Sequence, residues 1–380
     1  MERFADQPLP DRPHIAVFSS SKVGNFVVTT PLLRGLKEKY TGATLDFFGS
    51  DVTRDFEENC PYIDFRFSLY SDREDFLPAL TATVEERVAA AGRYDLAINC
   101  DEFAELNVVA VTAINPRYIA GGALAPGFRS RMPAGAAPEH RMLLDADWNS
   151  TAFLQRYEGT LTSNYIAEIF CRMAYVDTDF ALLELPSVEP AFDVPHVLIH
   201  ATTTRSAKMW PAEHWLAFLE GCEARGLSCG LVGSPPDAQQ TLYNAGDLES
   251  QLTAGTAIVD LRGRTSLIEL AGALRKTRAL VTVDAGPLHV AAAVGCPTLA
   301  LFGNDLDGVG ASPVRLWAPR AEHVVVIRTP HSCGLCEENR FRNPDCLIPG
   351  HPCMTELAPE LVLGSLDRLL APGRTESGAG

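Results

Sequence analysis

Four residues of one short stretch have the types and spacing of an anion site: Asp284, Gly286, Pro287 and His289. They stand where the apolar run Val281-Thr282-Val283 must turn into the helical pattern that begins near Leu288. Pro287 falls in the first helical turn, where its missing N–H costs no hydrogen bond. The N–H groups left unpaired in such a turn face outward and, with the helix dipole, favour a phosphate. An imidazole at His289 would add a third donor. The same residues also suit a plain strand-to-helix junction in which Asp284 caps the helix, and by themselves they do not separate the two readings.

A second stretch with chemical content is His200-Ala-Thr-Thr-Thr-Arg-Ser-Ala-Lys208. Hydroxyls at Thr202, Thr203 and Thr204 beside cations at Arg205 and Lys208 suit a diphosphate, whose oxygens take small donors while an ammonium balances the charge. An ordinary polar loop preceding a helix is the alternative. A third connection, Gly233-Ser-Pro-Pro-Asp237, carries a carboxylate at Asp237.

Cys333, Cys336, Cys346 and Cys353 lie on the loop 331–354 with the spacing C-x2-C-x9-C-x6-C. Four thiolates within so short a stretch can close a tetrahedral site for iron or zinc. Free thiols packed in a loop are the alternative. Nothing in the pattern leaves an open coordination position, so a metal there would be structural. The other six cysteines, Cys60, Cys100, Cys171, Cys222, Cys229 and Cys296, sit in apolar or helical contexts and read as core residues. Trp210 and Trp215, at the start of one helix, read as core anchors rather than sugar platforms. Arg129 and Arg131 read as solvated charges, with contact to an anionic acceptor as the other possibility.

The elements that must position these residues alternate. Strands are predicted at His14–Phe18, Thr44–Gly49, Asp95–Asn99 and Arg117–Ala120, with helices over Phe26–Tyr40, Val84–Ala91, Phe103–Ala113 and Asn149–Ala174. The stretch Gly121–Trp148 reads as a long loop. Pro186 to Pro195 is a proline-punctuated linker. Beyond it the alternation restarts with strands at His196–His200, Ser228–Val232, Ala257–Leu261, Val281 onward and His323–Ile327. Helices are predicted at Ala212–Arg225, Ala238–Gly246, Ser266–Lys276 and Pro359–Leu370. The pattern predicts two doubly wound α/β domains of Rossmann type, 1–190 and 191–380, with a disordered tail from about 373. In such sheets ligands sit at the carboxyl ends of the strands, which points to a cleft where two halves face each other.

At 380 residues the chain is long enough for two full cores. With 32 basic and 48 acidic residues and a formal net charge of -16, its surface repels nucleic acid and anionic membrane on average. A polyanionic ligand would need a local basic pocket. No apolar stretch approaches the ~20 residues of a membrane span, and the polar start Met1–Arg12 does not look like a signal peptide. A cytoplasmic location is expected, which also argues against a disulfide framework.

Three segments in order carry a resemblance: Ser19-Ser-Ser-Lys-Val-Gly-Asn-Phe-Val-Val-Thr-Thr-Pro31 (read from Ser19), Thr203-Thr-Arg-Ser-Ala-Lys-Met-Trp-Pro-Ala-Glu-His-Trp215, and Asp284-Ala-Gly-Pro-Leu-His-Val-Ala-Ala-Ala293. Together they resemble the heptosyltransferase family, glycosyltransferase family 9, over roughly residues 14–365. The resemblance implies a GT-B architecture, with donor nucleotide sugar on the second domain and acceptor on the first. It implies inverting transfer with no catalytic metal or cofactor and ADP-heptose as the usual donor. Carried over by position, Thr203 and Thr204 would bind the diphosphate, and Lys208 a phosphate or sugar oxygen. Asp284 would bind heptose hydroxyls, Gly286, Pro287 and His289 would complete the phosphate turn, and Asp237 would approach the ribose. Relatives often carry a Cys-rich segment before the last helix, some with iron.

The resemblance breaks at one position. Where the family commonly has an aspartate as proton acceptor, this chain has Asn25 after Gly24, and an amide cannot take a proton near neutral pH. Asp101, just past a predicted strand and followed by Glu102, is the substitute we expect, although it also suits capping of the following helix. Another nucleotide sugar, or nucleotide-sugar binding without catalysis, is the alternative function. The acceptor is open between a glycan, a protein hydroxyl and a small metabolite.

Overall fold

The structure is a computed structural model and describes residues 1–145, 147–148, 150–243, 246–304, 313–329, 333–339 and 343–371. It divides into two compact units, Met1–Pro186 and Ser187–Gly380. The chain passes between them at the start of the proline-punctuated stretch. The tail beyond about 373 lies outside the described residues.

The first unit is built on a six-stranded sheet of β1 (Glu2–Arg3), β2 (His14–Phe18), β3 (Thr44–Ser50), β4 (Phe65–Tyr70), β5 (Leu96–Asn99) and β6 (Tyr118–Gly121). All pairings are parallel, in the order β1-β6-β5-β2-β3-β4. Every residue of β2 is buried, because a parallel strand covered by helices on both faces has no solvent side. The chain winds from β2 outward to β4, then returns to the other side of β2 for β5. The switch point therefore lies between β2 and β5, where ligands bind in sheets of this kind.

The second unit repeats this plan with β7 (Val197–His200), β8 (Cys229–Leu231), β9 (Val259–Asp260), β10 (Ala279–Val283), β11 (Thr298–Asn304) and β12 (Val324–Thr329). Its order is β12-β11-β10-β7-β8-β9, again all parallel, with the switch point between β7 and β10. Trp210, Trp215, Phe218, Leu219, Val362 and Leu366 pack with these strands into one apolar core. Trp210 and Trp215 are fully buried, as core anchors should be, and the Trp210 indole N–H donates to the Leu357 carbonyl at 2.8 Å. A capping box at Ser266 and Glu269 opens the helix Leu267–Lys276.

Several predicted bounds are corrected. The first helix starts earlier, at Val23, and runs to Lys39, so Asn25 lies inside its first turn. The long helix expected over Asn149–Ala174 is two shorter ones, Thr151–Arg156 and Ile166–Met173. Gly159, between them, takes φ +82°, a left-handed conformation that no helix interior accepts. The helix expected over Val84–Ala91 begins a good two turns earlier, at Phe76. Within the expected long loop, short 3-10 turns form at Pro138–His140 and Met142–Leu144. The six scattered cysteines are all buried and free.

Candidate functional site

At the second unit's switch point the two connections singled out by sequence come together. The loop after β7 ends in a 3-10 turn, Ser206–Lys208, and the connection after β10 leads into the helix Gly286–Ala293. Lys208 Nζ donates to Asp284 Oδ2 at 2.7 Å, with 17 % of the lysine side chain and 6 % of the aspartate exposed. The capping alternative for Asp284 is not what the helix shows. The N-cap residue is Ala285, which has no side-chain cap, with Pro287 in the first turn.

Arg205 is half-buried beside this pair. Burial lowers the guanidinium below its ordinary range, while attraction to Cys336 and Asp284 works the other way. Two cations thus gather around one buried carboxylate. His289 is buried, and its Nδ1 has no hydrogen-bond partner among the described residues. Burial pulls its imidazole down to about 4; Asp284 pushes it up and Lys208 further down. Burial thus keeps His289 neutral near pH 7, as a donor or acceptor. Its ring meets the edge of Trp317 at 6.2 Å between centroids.

The threonines separate. Thr203 is buried and Thr204 is exposed, so one hydroxyl is built into the loop and the other faces solvent. Thr202, fully buried, belongs to a polar network that the sequence did not reveal. Gln239 Nε2 donates to Thr202 Oγ1 at 2.9 Å and to Glu249 Oε1 at 2.8 Å, and Arg262 closes on Glu249 at 2.8 Å. This network fixes the start of the loop by satisfying buried polar atoms. His200, the last residue of β7, is likewise buried, held neutral by burial with its pKa at about 4, and its Nδ1 is unpartnered among the described residues. Asp237 is exposed in the first turn of the helix Pro236–Leu242.

In the first unit, Asn25 follows β2 and Asp101 follows β5, so adjacent strands deliver them to the switch point. Asp101 Oδ1 accepts N–H bonds from Phe103 and Ala104, both at 3.2 Å. This is a turn cap just ahead of the helix Glu105–Ala113. Burial raises the Asp101 carboxyl, opposed by those two N–H groups and by Lys22. Glu102 is 2 % exposed, and its Oε2 has no partner among the described residues. Burial pushes it up to about 7, with Arg3 and Arg131 pulling down and Asp101 pushing up. A carboxyl that stays half protonated at neutral pH in a buried place is the stronger anomaly of the two. Its only sequence signal was an acid directly after an apolar strand. Arg129 and Arg131 are exposed, and Arg131 donates to the Glu102 carbonyl at 3.2 Å.

The cysteine cluster is only partly brought together. Cys333 and Cys346 lie near enough to Cys336 to oppose its ionisation, and burial is the main reason its thiol is raised. Asn343 Nδ2 reaches Cys336 Sγ at 3.3 Å and the Ile348 N–H reaches Cys346 Sγ at 3.5 Å. Cys353 instead packs in the main core of the unit. Among the described residues no group of three or more His, Cys, Asp or Glu side chains converges to hold a metal ion. The four-ligand set of Cys333, Cys336, Cys346 and Cys353 is therefore not assembled, because Cys353 is held in apolar packing.

Comparison with known proteins follows the same lines. The profile of glycosyltransferase family 9 (heptosyltransferase) matches residues 157–343. Lipooligosaccharide heptosyltransferase 2 of Haemophilus influenzae is 30 % identical over 165 residues, 43 % of this chain and 44 % of that protein. The chain spans less than half the length of the heptosyltransferases 1 and 2 that it matches. The glycosyl transferase family 9 structure from Veillonella parvula superposes with a TM-score of 0.70 at 18 % identity, covering 96 % of this chain and 98 % of that one. The E. coli structure described as ADP-heptose lps heptosyltransferase II gives 0.64 at 18 % identity, covering 94 % and 98 %.

The fold is thus that of the two-unit, parallel-sheet heptosyltransferase structures, the GT-B class. Residues 157–343, just under half of the chain, carry the sequence of glycosyltransferase family 9, the heptosyltransferase family. No helix among the described residues is long and apolar enough to cross a membrane.

Proposed function

We propose that this chain is an inverting glycosyltransferase that moves a heptose from ADP-heptose to an acceptor without a catalytic metal or cofactor. The observation that carries the reading is the second unit's switch point, where Lys208 meets Asp284 at 2.7 Å with Arg205 and His289 beside them. A departing diphosphate needs fixed positive charge and N–H donors in a low-dielectric place. Lys208, Arg205 and the first turn of the helix Gly286–Ala293 supply both. Thr203 and Thr204 add hydroxyls, and Gly286 and Pro287 leave the backbone of the turn open to the phosphate. Asp284 accepts from sugar hydroxyls, and Asp237 approaches the ribose. Heptose and adenine are supported by the names of the relatives and structures just described, not by a contact in this chain.

In this reading residues 191–380 hold the donor and 1–190 the acceptor, which is a glycan, a protein hydroxyl or a small metabolite. Asn25 positions the acceptor, and Asp101 takes its proton through the carboxylate oxygen not committed to Phe103 and Ala104. The raised pKa of Asp101 suits a base that must be basic enough to accept. A structural iron or zinc on the cysteine loop also belongs to the proposal. The soft donors Cys333, Cys336 and Cys346 suit such a metal, Cys353 would have to leave the core to join them, and the metal would take no part in transfer.

A thermal-shift panel of ADP, UDP, GDP and their sugars tests the donor assignment, since a ligand that binds only the folded chain raises its melting temperature. ADP and ADP-heptose are expected to give the largest shifts; equal shifts for UDP or GDP would remove the heptose reading. One observation favours a second reading, binding without catalysis: the amide at Asn25. Transfer or donor hydrolysis by the purified protein, lost in Lys208→Ala, separates the two.

A further inference from the structure

The loop that carries Thr203, Arg205 and Lys208 is braced by residues far along the chain. It contains a single 3-10 turn, closed by the N–H of Lys208 on the Arg205 carbonyl at 3.0 Å and that of Met209 on Ser206 at 2.9 Å. Further contacts come from a segment some 140 residues further along the chain. The Ala207 N–H donates to the Pro344 carbonyl at 3.0 Å, and His351 Nε2 lies 2.8 Å from the Ala207 carbonyl. Ser206 Oγ donates to Pro344 O at 3.2 Å and also bonds Asp345.

Arg205 is held at two points by one residue. Its Nε donates to the Asn343 carbonyl at 2.8 Å and its Nη2 to Asn343 Oδ1 at 3.3 Å. Asn343 is itself 3 % exposed, and its Nδ2 is shared between the Asp345 carbonyl at 2.7 Å and Cys336 Sγ at 3.3 Å. Cys336 in turn packs against Ala207. The side-chain amide of Asn343 therefore faces the donor loop with its oxygen and the cysteine loop with its nitrogen.

We infer that the segment Asn343–His351 is a strut that holds the donor loop in its binding shape, and that Asn343 is the positioning residue that aims Arg205 toward Asp284 and the diphosphate. This rests on the donor-site reading above. Asn343 touches no substrate. It acts through Arg205, and the Ala207 contacts act through the neighbouring Lys208. With Asn343 truncated, the backbone carbonyl and Cys336 still meet Arg205 but the side-chain acceptor is gone, and a half-buried guanidinium that has lost an acceptor shifts from its place.

The test measures ADP binding by calorimetry and amide hydrogen exchange on the full chain for wild type, Asn343→Ala, Asn343→Asp and His351→Ala. Asn343→Ala is expected to weaken ADP at least fivefold and to speed exchange over 203–209, while 279–293 and the first unit exchange as in wild type. Asn343→Asp keeps an oxygen facing Arg205 but loses the donor to both the Asp345 carbonyl and Cys336; a loss of ADP affinity smaller than that of Asn343→Ala is expected. His351→Ala, which leaves Asn343 in place, should speed exchange at Ala207 and Lys208 and carries the test if Asn343→Ala does not fold. Wild-type ADP affinity in both Asn343→Ala and His351→Ala overturns the inference, as does faster exchange spread evenly over the second unit. If wild type itself does not bind ADP, the donor-site reading has failed, and exchange over 203–209 in the variants still decides whether the strut exists.

Discussion

Replacing Glu102 by glutamine should make the protein more stable, and increasingly so as pH rises. The carboxyl is 2 % exposed and burial holds it at about 7, against an ordinary value of 4.5. Between those two values the folded chain keeps a proton that the unfolded chain has released, so stability falls with rising pH. Below about 4.5 both states are protonated and the penalty is absent. Above about 7 it has reached its full size, roughly 3 kcal/mol at 1.36 kcal/mol per pH unit of displacement. Glutamine is neutral throughout and nearly isosteric. Its amide, like the protonated acid, places a donor where Oε2 now has no partner, so that cost is common to both at low pH. The assay is a pair of thermal melts from pH 4.5 to 8.5. Little difference is expected at the acid end. A gain of roughly 6–12 °C is expected at pH 8.5, from about 2–4 °C per kcal/mol for a unit of this size. A difference that stays constant across the range would show that Glu102 is ionised and compensated in the folded chain, and the argument would fail. The side chain is packed against Gly122, where a Cβ would come within 3.1 Å of Glu102 Cγ. Relief by local movement is therefore restricted.

Other expectations follow from the two switch points. Asn25→Asp is expected to raise transfer or donor hydrolysis, and Asp101→Asn to lower it at least tenfold; an unaffected Asp101→Asn with an improved Asn25→Asp would place the proton acceptor elsewhere. Lys208→Ala should lose donor binding and also about 3 kcal/mol or more of stability, because Asp284 would be left buried with its closest cation gone; the double variant Lys208→Ala/Asp284→Asn should recover most of the stability and none of the binding, by chemical denaturation and calorimetry. Because burial holds His289 neutral down to about 4, ADP affinity should show no step near pH 6.5, and a step there that disappears in His289→Gln would contradict the neutral assignment. Metal analysis of the purified chain against Cys333→Ser tests the cysteine loop: one iron or zinc per chain, lost in the variant, is expected if Cys353 leaves the core to complete the set.

Much of the fold was legible because parallel strands with both faces covered are continuous apolar runs. His14–Phe18 and Ala279–Val283 announce themselves in this way. Of the strands that went unseen, Thr298–Asn304 is an inner strand of the second sheet and two others are at the edges of the first. Phe65–Tyr70 alternates buried and part-exposed positions, and Glu2–Arg3 is a two-residue strand with a charged sequence. For such segments the neighbour in the sheet supplies the order, not the local pattern. The meeting of Lys208 with Asp284, the proposed donor half of the site, was legible for a related reason. Its residues sit in two short connections after central strands, and a switch point brings such connections together by topology. What could not be read was whatever depends on distant partners: Gln239 and Glu249 under Thr202, Asn343 under Arg205, and the burial that turns Glu102 into a half-protonated acid. Asn343 carries no pattern of its own; its meaning lies in a guanidinium 138 residues away.

The pairing of Lys208 with Asp284 bears on how a donor could bind. The Lys208 ammonium is held by a carboxylate, so a diphosphate at this place must share it or displace it. Displacement would take the nearest cation from the buried Asp284 carboxylate, which is costly. Sharing costs much less, because an ammonium has three donors and Asp284 takes one of them at 2.7 Å. The aspartate then stays ionised and in place, with one oxygen on Lys208 and its remaining capacity turned to neutral hydroxyls. That arrangement selects for a ligand with phosphate and hydroxyl groups a few ångströms apart, as in a nucleotide sugar, over a bare nucleotide. ADP-heptose should therefore bind more tightly than ADP, and Asp284→Asn should narrow the gap between them by weakening the sugar nucleotide more than ADP. Equal losses for the two ligands would mean that Asp284 serves only to hold the lysine.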